Sequence, residues 1–283
     1  MEKKIVFLIL LMLPLATFGQ TPSFDDTWNK LDSLTASMPE EARAATFSVL
    51  EDYFLDAADS LRNEGMYSSA SEILAQLETK WKKVTGKDLS ARFYVSLAQI
   101  HLELEDWNDA VETVDRYLKI YESQPDSFDK LVDGAFLKIL YNMKGMSLKN
   151  LEEWRKAIAT YENANHYYAK LNDLGSQGGC LCDMAYCYSK LEKNNIARDL
   201  YEKGFQKYLD YFGTTRAALL KTNLKVEDSM KNKVLNVFAG HLVYMAIYEQ
   251  NNGNRNAMKD YLLMSVHCGN QLAKKEYDRI FGN

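Results

Sequence analysis

Residues 94–114 read Tyr94-Val-Ser-Leu97-Ala98-Gln-Ile-His101-Leu-Glu-Leu-Glu105-Asp106-Trp107-Asn-Asp-Ala110-Val-Glu-Thr-Val114. Tyr94, Leu97, Ala98 and His101 fall at helical spacing on one face. A short polar bend, Glu105-Asp106, follows. Ala110 and Val114 then open a second helical face. A bend this short demands antiparallel neighbours. Ala98 lets the second helix cross close to the first, and Ala110 does the same from the other side. Larger residues fill the space around the crossing.

The same grid recurs along the chain. An alanine follows each bend, at Ala70, Ala110, Ala157, Ala197 and Ala257, and four residues later stand Leu74, Val114, Tyr161, Tyr201 and Tyr261. Twelve residues before each alanine come Ala58, Ala98, Gly145, Ala185 and Met245. Tyr67, Trp107 and Trp154 are aromatic at one shared position of the first three units. Bends are read at Glu105-Asp106, Leu151-Glu152, Lys193-Asn194-Asn195 and 251–254, with helix stops at Gly65 and Gly86. Near the N-terminus, Asp26 can cap a short helix, and Ser37 with Glu40 forms a capping box with Pro39 in the first turn. Each helix pair leaves an apolar face open, which the next pair must cover.

The grid resembles the tetratricopeptide repeat, W-x₂-L-G-x₂-Y followed by A-x₃-F and a proline. The best copies are Tyr94-x₂-Leu97-Ala98-x₂-His101 with Ala110-x₃-Val114, and Leu181-x₂-Met184-Ala185-x₂-Tyr188 with Ala197-x₃-Tyr201. The third unit keeps the glycine, as Gly145. The resemblance implies an all-α fold, an α-α superhelix (TPR-like solenoid) of about five antiparallel helix pairs. Alanine spacings of 40, 47, 40 and 60 depart from the 34-residue repeat,. The closing proline is absent, which implies longer second helices. Irregular geometry is expected at 122–128 and 213–232, with an extra helix from Arg216.

Composition agrees with helices. The 283 residues include only four prolines (Pro14, Pro22, Pro39 and Pro125) and 14 glycines, too few turn residues for a β-sandwich or barrel,. The formal charge of −5, with both signs interleaved, supplies no footprint for nucleic acid or for an anionic membrane surface,.

The N-terminus has a basic Glu2-Lys3-Lys4 region, an apolar run from Ile5 to Ala16 and small residues at Thr17 and Gly19. This reads as a signal peptide over residues 1–19. The apolar run is 12 residues, shorter than the ~20 of a spanning helix,. Cleavage removes Glu2, Lys3 and Lys4, a net +1, and takes the charge from −5 to −6. The organisation expected is signal peptide 1–19, N-terminal capping helices 20–50 and repeat domain 51–283. The chain is expected to be exported, to the periplasm or outside the cell, with no stable membrane insertion after cleavage. The style of the signal is bacterial.

Cys180, Cys182 and Cys187 share a helical stretch. Cys180 and Cys187 lie about 10.5 Å apart along its axis, beyond the ~7 Å between Cα atoms that a disulfide allows. Thiols packed between helices are the favoured reading, and a Cys268 link to one of the three stays open. His101 and His241 occupy framework positions and read as satisfied core histidines. Tyr167-Tyr168 and the Tyr208/Tyr211 pair read as repeat-core packing. No nucleophile elbow, zinc-protease, dinucleotide or phosphate-loop motif occurs. No enzyme, cofactor or metal site is expected.

By resemblance, the groove built by the first helices binds a protein or peptide. Positions facing it in the middle repeats are Val95, Gln99 and Leu102; Asn142, Met146 and Lys149; and Cys182, Tyr186 and Ser189. Only Asn142 and Lys149 suggest the carboxylate clamp of some family members. The function expected is a non-enzymatic exported scaffold or adaptor. The alternative is a periplasmic sensory or regulatory module acting with a separate membrane signalling partner.

Overall fold

The computed structural model describes residues 28–29, 33, 38–124 and 128–282. The expected signal peptide, the Asp26 cap, Ser37 and Pro125 lie outside the described residues. The fold class is all-α, a helical-repeat superhelix, and the chain divides into two compact units at Phe136/Leu137.

In the first unit, α1 (Glu40–Asn63) pairs with α2 (Tyr67–Thr85), and α3 (Ala91–Glu103) with α4 (Trp107–Ser123). The helix α5 (Phe128–Asn150) runs across the division. The second unit continues with α6 (Trp154–Lys170), α7 (Leu174–Lys190) and α8 (Asn194–Phe212). It ends with α9 (Arg216–Leu219), α10 (Ser229–Asn251), α11 (Arg255–His267) and α12 (Gln271–Phe281). Each pair expected from the alanine grid is present. Ala58, Ala70, Ala98, Ala110, Ala157, Ala185 and Ala197 are all fully buried at their crossings. Gly145 faces the ring of Tyr161, where a Cβ would come within 2.7 Å. Here only glycine permits the approach of α5 to α6.

The bends share one hydrogen-bond signature, a Schellman closure. In the α3–α4 bend the Asp106 N–H donates to His101 O and the Glu105 N–H to Leu102 O. The same pair of bonds closes helices at Gly65, Glu152, Asn172, Glu192, Gly213, Gly253 and Gly269. The middle residue is left-handed in each, with φ of 60° at Glu105 and Glu152 and 59° at Glu192. Three of these bends therefore impose on a glutamate a conformation that glycine adopts freely.

Three local expectations are corrected. Pro39 is the residue before α1 and not within its first turn. The bend expected at Lys193–Asn195 sits at Leu191–Lys193, because the closure centres on Glu192 and α8 already begins at Asn194. The extra helix from Arg216 is a single turn of four residues. The chain beyond it is held by backbone pairing, with the Leu224 N–H donating to His267 O at 2.9 Å. All four cysteines are buried free thiols.

Candidate functional site

The second unit holds a cleft of about 400 Å³ between the first helices α5, α7 and α10. Its floor is polar and buried. Asp183, on α7, accepts from Lys149 Nζ on α5 at 2.5 Å. His241, on α10, places Nε2 3.6 Å from the same carboxylate. Its Nδ1 lies 2.9 Å from the Tyr208 hydroxyl on α8. One carboxylate thus ties together the first helices of three successive repeats. Burial alone would raise the Asp183 carboxyl, but the neighbouring His241 imidazole and the Lys149 charge hold it down at about 2. Burial alone would pull the Lys149 ammonium down, and Asp183 reverses this, leaving it above its ordinary value. Burial pushes the Tyr208 phenol well up. Its O–H therefore stays protonated and available to the imidazole.

Glycines open the space above this floor. Gly175 and Gly179 line it from α7 and Gly240 from α10, and a Cβ on Gly240 would meet nothing within 4 Å. The walls are apolar. Met230, Val237, Tyr244 and Ile247 are exposed large side chains on α10, spaced at seven and three residues along one face. The opposite face of α10 is core, with Leu235, Phe238, Leu242 and Met245 buried. The helix is therefore apolar on two sides, and only one of them is covered by the unit. Met146 is the exposed apolar residue on the α5 side. Tyr244 packs on Tyr186 with ring centroids 5.1 Å apart, and Lys149 Nζ stands 5.8 Å from both rings. A second cleft of about 570 Å³ adjoins along Tyr244, between the C-terminal halves of α7 and α10.

The sequence-expected residues divide among these places. Asn142, Met146 and Lys149 line the first cleft, and Tyr186 and Ser189 line the second. The Ser189 hydroxyl is turned back onto Tyr186 O at 2.7 Å. Gln99, Leu102 and Val95 are half-buried on α3 in the other unit and line neither of these clefts. Cys182 does not face a groove. It is fully buried, and its sulfur lies 2.7 Å from where a Cβ on Gly204 would sit. The close crossing of α7 on α8 rotates it into the core.

The face of α10 is what the sequence reading missed. His241 was expected as a satisfied core histidine, and it is buried between Asp183 and Tyr208 while also flooring the cleft. The signal was available in the seven-residue spacing of Met230, Val237 and Tyr244 on a helix already apolar opposite. His101 is half-buried and its Nδ1 has no protein partner among the described residues. It shares a 4.8 Å cluster with the exposed Asp106 and Asp109. No helix of the described residues is long and apolar enough to cross a membrane.

Helix pairs with small-residue crossings and an open inner face define a helical-repeat scaffold, a class used for protein interaction. The model of the soluble NSF attachment protein family (SNAP) matches residues 42–225, and the chain belongs to that family. Among solved structures, BtubC (BKLC) from P. vanneervenii is similar, with a TM-score of 0.57 and 15% identity over 90% of this chain and 91% of that one. The apo form of the quorum sensor NprR from B. thuringiensis is similar with a TM-score of 0.51 and 15% identity, covering 99% of this chain and 72% of that one. No curated protein matches the chain.

Proposed function

We propose that the protein is a non-enzymatic, exported scaffold or adaptor that binds a protein or peptide segment in the groove lined by α5, α7 and α10. The observation that carries this reading is the uncovered apolar face of α10, set opposite Met146 above a buried polar floor. Exposed apolar surface of this extent, rimmed by polar groups, is how recognition grooves are built. Family membership supports an interaction role. The groove residues are Asn142, Met146, Lys149, Tyr186 and Ser189 with Val237, Tyr244 and Ile247, while Gln99 and Leu102 hold the corresponding repeat positions on α3 of the first unit. Export through residues 1–19 is part of the proposal. The sensory alternative draws on fold likeness to the quorum sensor and names no separate site.

The test is site-specific photocrosslinking in the native host. A crosslinker at Val237 should trap one partner, and the same group at Glu162, on the exposed face of α6, should not. Tyr244→Asp should abolish the adduct with the helical content unchanged. Equal crosslinking from both positions would sink the groove assignment.

A further inference from the structure

The exposed residues of α10 form one stripe. Between residues 233 and 250 they are Lys233, Asn236, Val237, Tyr244, Ile247 and Gln250, with Gly240 half-buried among them. Exposed Met230 extends the stripe towards the N-terminus of the helix. A solvated helix face is rich in charge, yet this stripe holds one charged side chain, Lys233. Met230, Val237 and Tyr244 recur every seven residues, and Lys233, Gly240 and Ile247 follow each of them by three. That is the a/d spacing of a coiled-coil seam, about 26 Å long.

The seam is complementary to itself. In an antiparallel helix pair each a residue faces a d residue of the other helix. With two copies of α10 centred between Phe238 and Ala239, Met230 meets the partner's Ile247, Val237 the partner's Gly240 and Lys233 the partner's Tyr244, each pair occurring twice. Val237 is a knob, 53% exposed. Gly240 is its hole, since a Cβ there would meet nothing within 4 Å. The lysine lies over a tyrosine ring, so the one charge of the stripe is matched. Parallel pairing would set lysine against lysine and glycine against glycine, adding repulsion and leaving a void. The flanking Asn236, Val243 and Gln250 are uncharged, so no like charges oppose the antiparallel approach.

We propose that the occupant of the α10 face is a second copy of this chain, docked α10 to α10 in an antiparallel two-fold seam. This rests on the groove reading and names its partner.

The experiment is sedimentation equilibrium of the protein purified from its native host, from about 1 to 500 µM. One helix seam is small beside the ~1,600 Å² of a standard interface, so a reversible dimer is expected, with a Kd of about 10–100 µM. Val237→Asp should weaken it at least about tenfold and Lys233→Glu about fivefold. Asn232→Asp, exposed but off the seam, should leave it unchanged. Circular dichroism checks that each variant keeps the parent helical content. Mixing Val237→Cys with Gly240→Cys under mild oxidation reads the register: the mixture should form a disulfide-linked dimer faster than either variant alone. The native thiols are buried and do not compete. A protein monomeric throughout that range, a dimer indifferent to Val237→Asp and Lys233→Glu, or cysteine variants that link as well alone as mixed would overturn the proposal. The photocrosslinker at Val237 should give an adduct of two copies. If it traps a different protein while the chain stays monomeric, the second copy is wrong and the groove reading stands. If it traps nothing, both fail.

Discussion

Ser96 and Asp183 occupy the same register, two residues before the small residue of a first helix, one in each unit. Both are buried, and both bond to the preceding first helix. Ser96 donates to Asp59 at 3.2 Å, and Asp183 accepts from Lys149 at 2.5 Å. The charged partners differ in exposure. In the first unit Arg92 reaches Asp52, Asp56 and Asp59 near solvent, with Asp52 and Asp56 66% and 71% exposed. In the second unit the Lys149 and Asp183 side chains are 16% and 10% exposed. Water screens the Arg92 contacts and reaches the Lys149–Asp183 pair little, so the same buried position carries a neutral donor beside a surface ion cluster in one unit and a buried charge in the other,.

Removing one charge from each should separate them most. Asp183→Ala strands Lys149 and should cost about 3–5 kcal/mol, while Arg92→Ala should cost under about 1 kcal/mol, both read by urea unfolding. Similar losses would erase the distinction. Acid sharpens the same contrast. The Asp183 carboxyl is held at about 2 against an ordinary 3.8, so the folded state favours its ionised form. Its contribution, about 2 kcal/mol, is complete above pH 4 and disappears as pH falls through 2. Amide exchange in α7 should accelerate across that window, and Asp183→Asn should flatten the dependence.

Packing gives a smaller effect. A Cβ on Gly204 would meet Gly178 O at 2.9 Å, whereas one on Gly240 meets open cleft. Gly204→Ala should destabilise by about 1–3 kcal/mol. Gly240→Ala should stabilise α10 by up to about 1 kcal/mol while narrowing the cleft. The least effect belongs to the bends. Glu105→Gly and Glu192→Gly relieve left-handed glutamates and should raise stability by up to about 1 kcal/mol each. Gly253→Ala, at φ 74°, should lower it. Thermal melts of the five variants rank these.

Much of the fold was legible because close helix crossings require small residues at fixed intervals, and Ala58, Ala98, Gly145 and Ala185 supply them. The site was legible only on α5 and the end of α7. Cys182 was misplaced because its facing depends on how closely α8 crosses α7, which Gly178 and Gly204 set together from opposite helices. Val237, Tyr244 and Ile247 were missed because Met245 interrupts the small-residue pattern in that repeat and turned the reading away from α10.

The sequence by itself determined the helix pairs, their antiparallel sense and most of their stops, since these follow from local periodicity, capping and short bends. Tertiary structure alone decided that Lys149, Asp183, His241 and Tyr208, spread over 93 positions from first to last, meet in one buried chain. It also decided which apolar face of α10 stays uncovered. Local pattern fixes which faces are apolar. Which of them meets a neighbour depends on the rotation and distance between helices, and those emerge only when all the crossings pack at once.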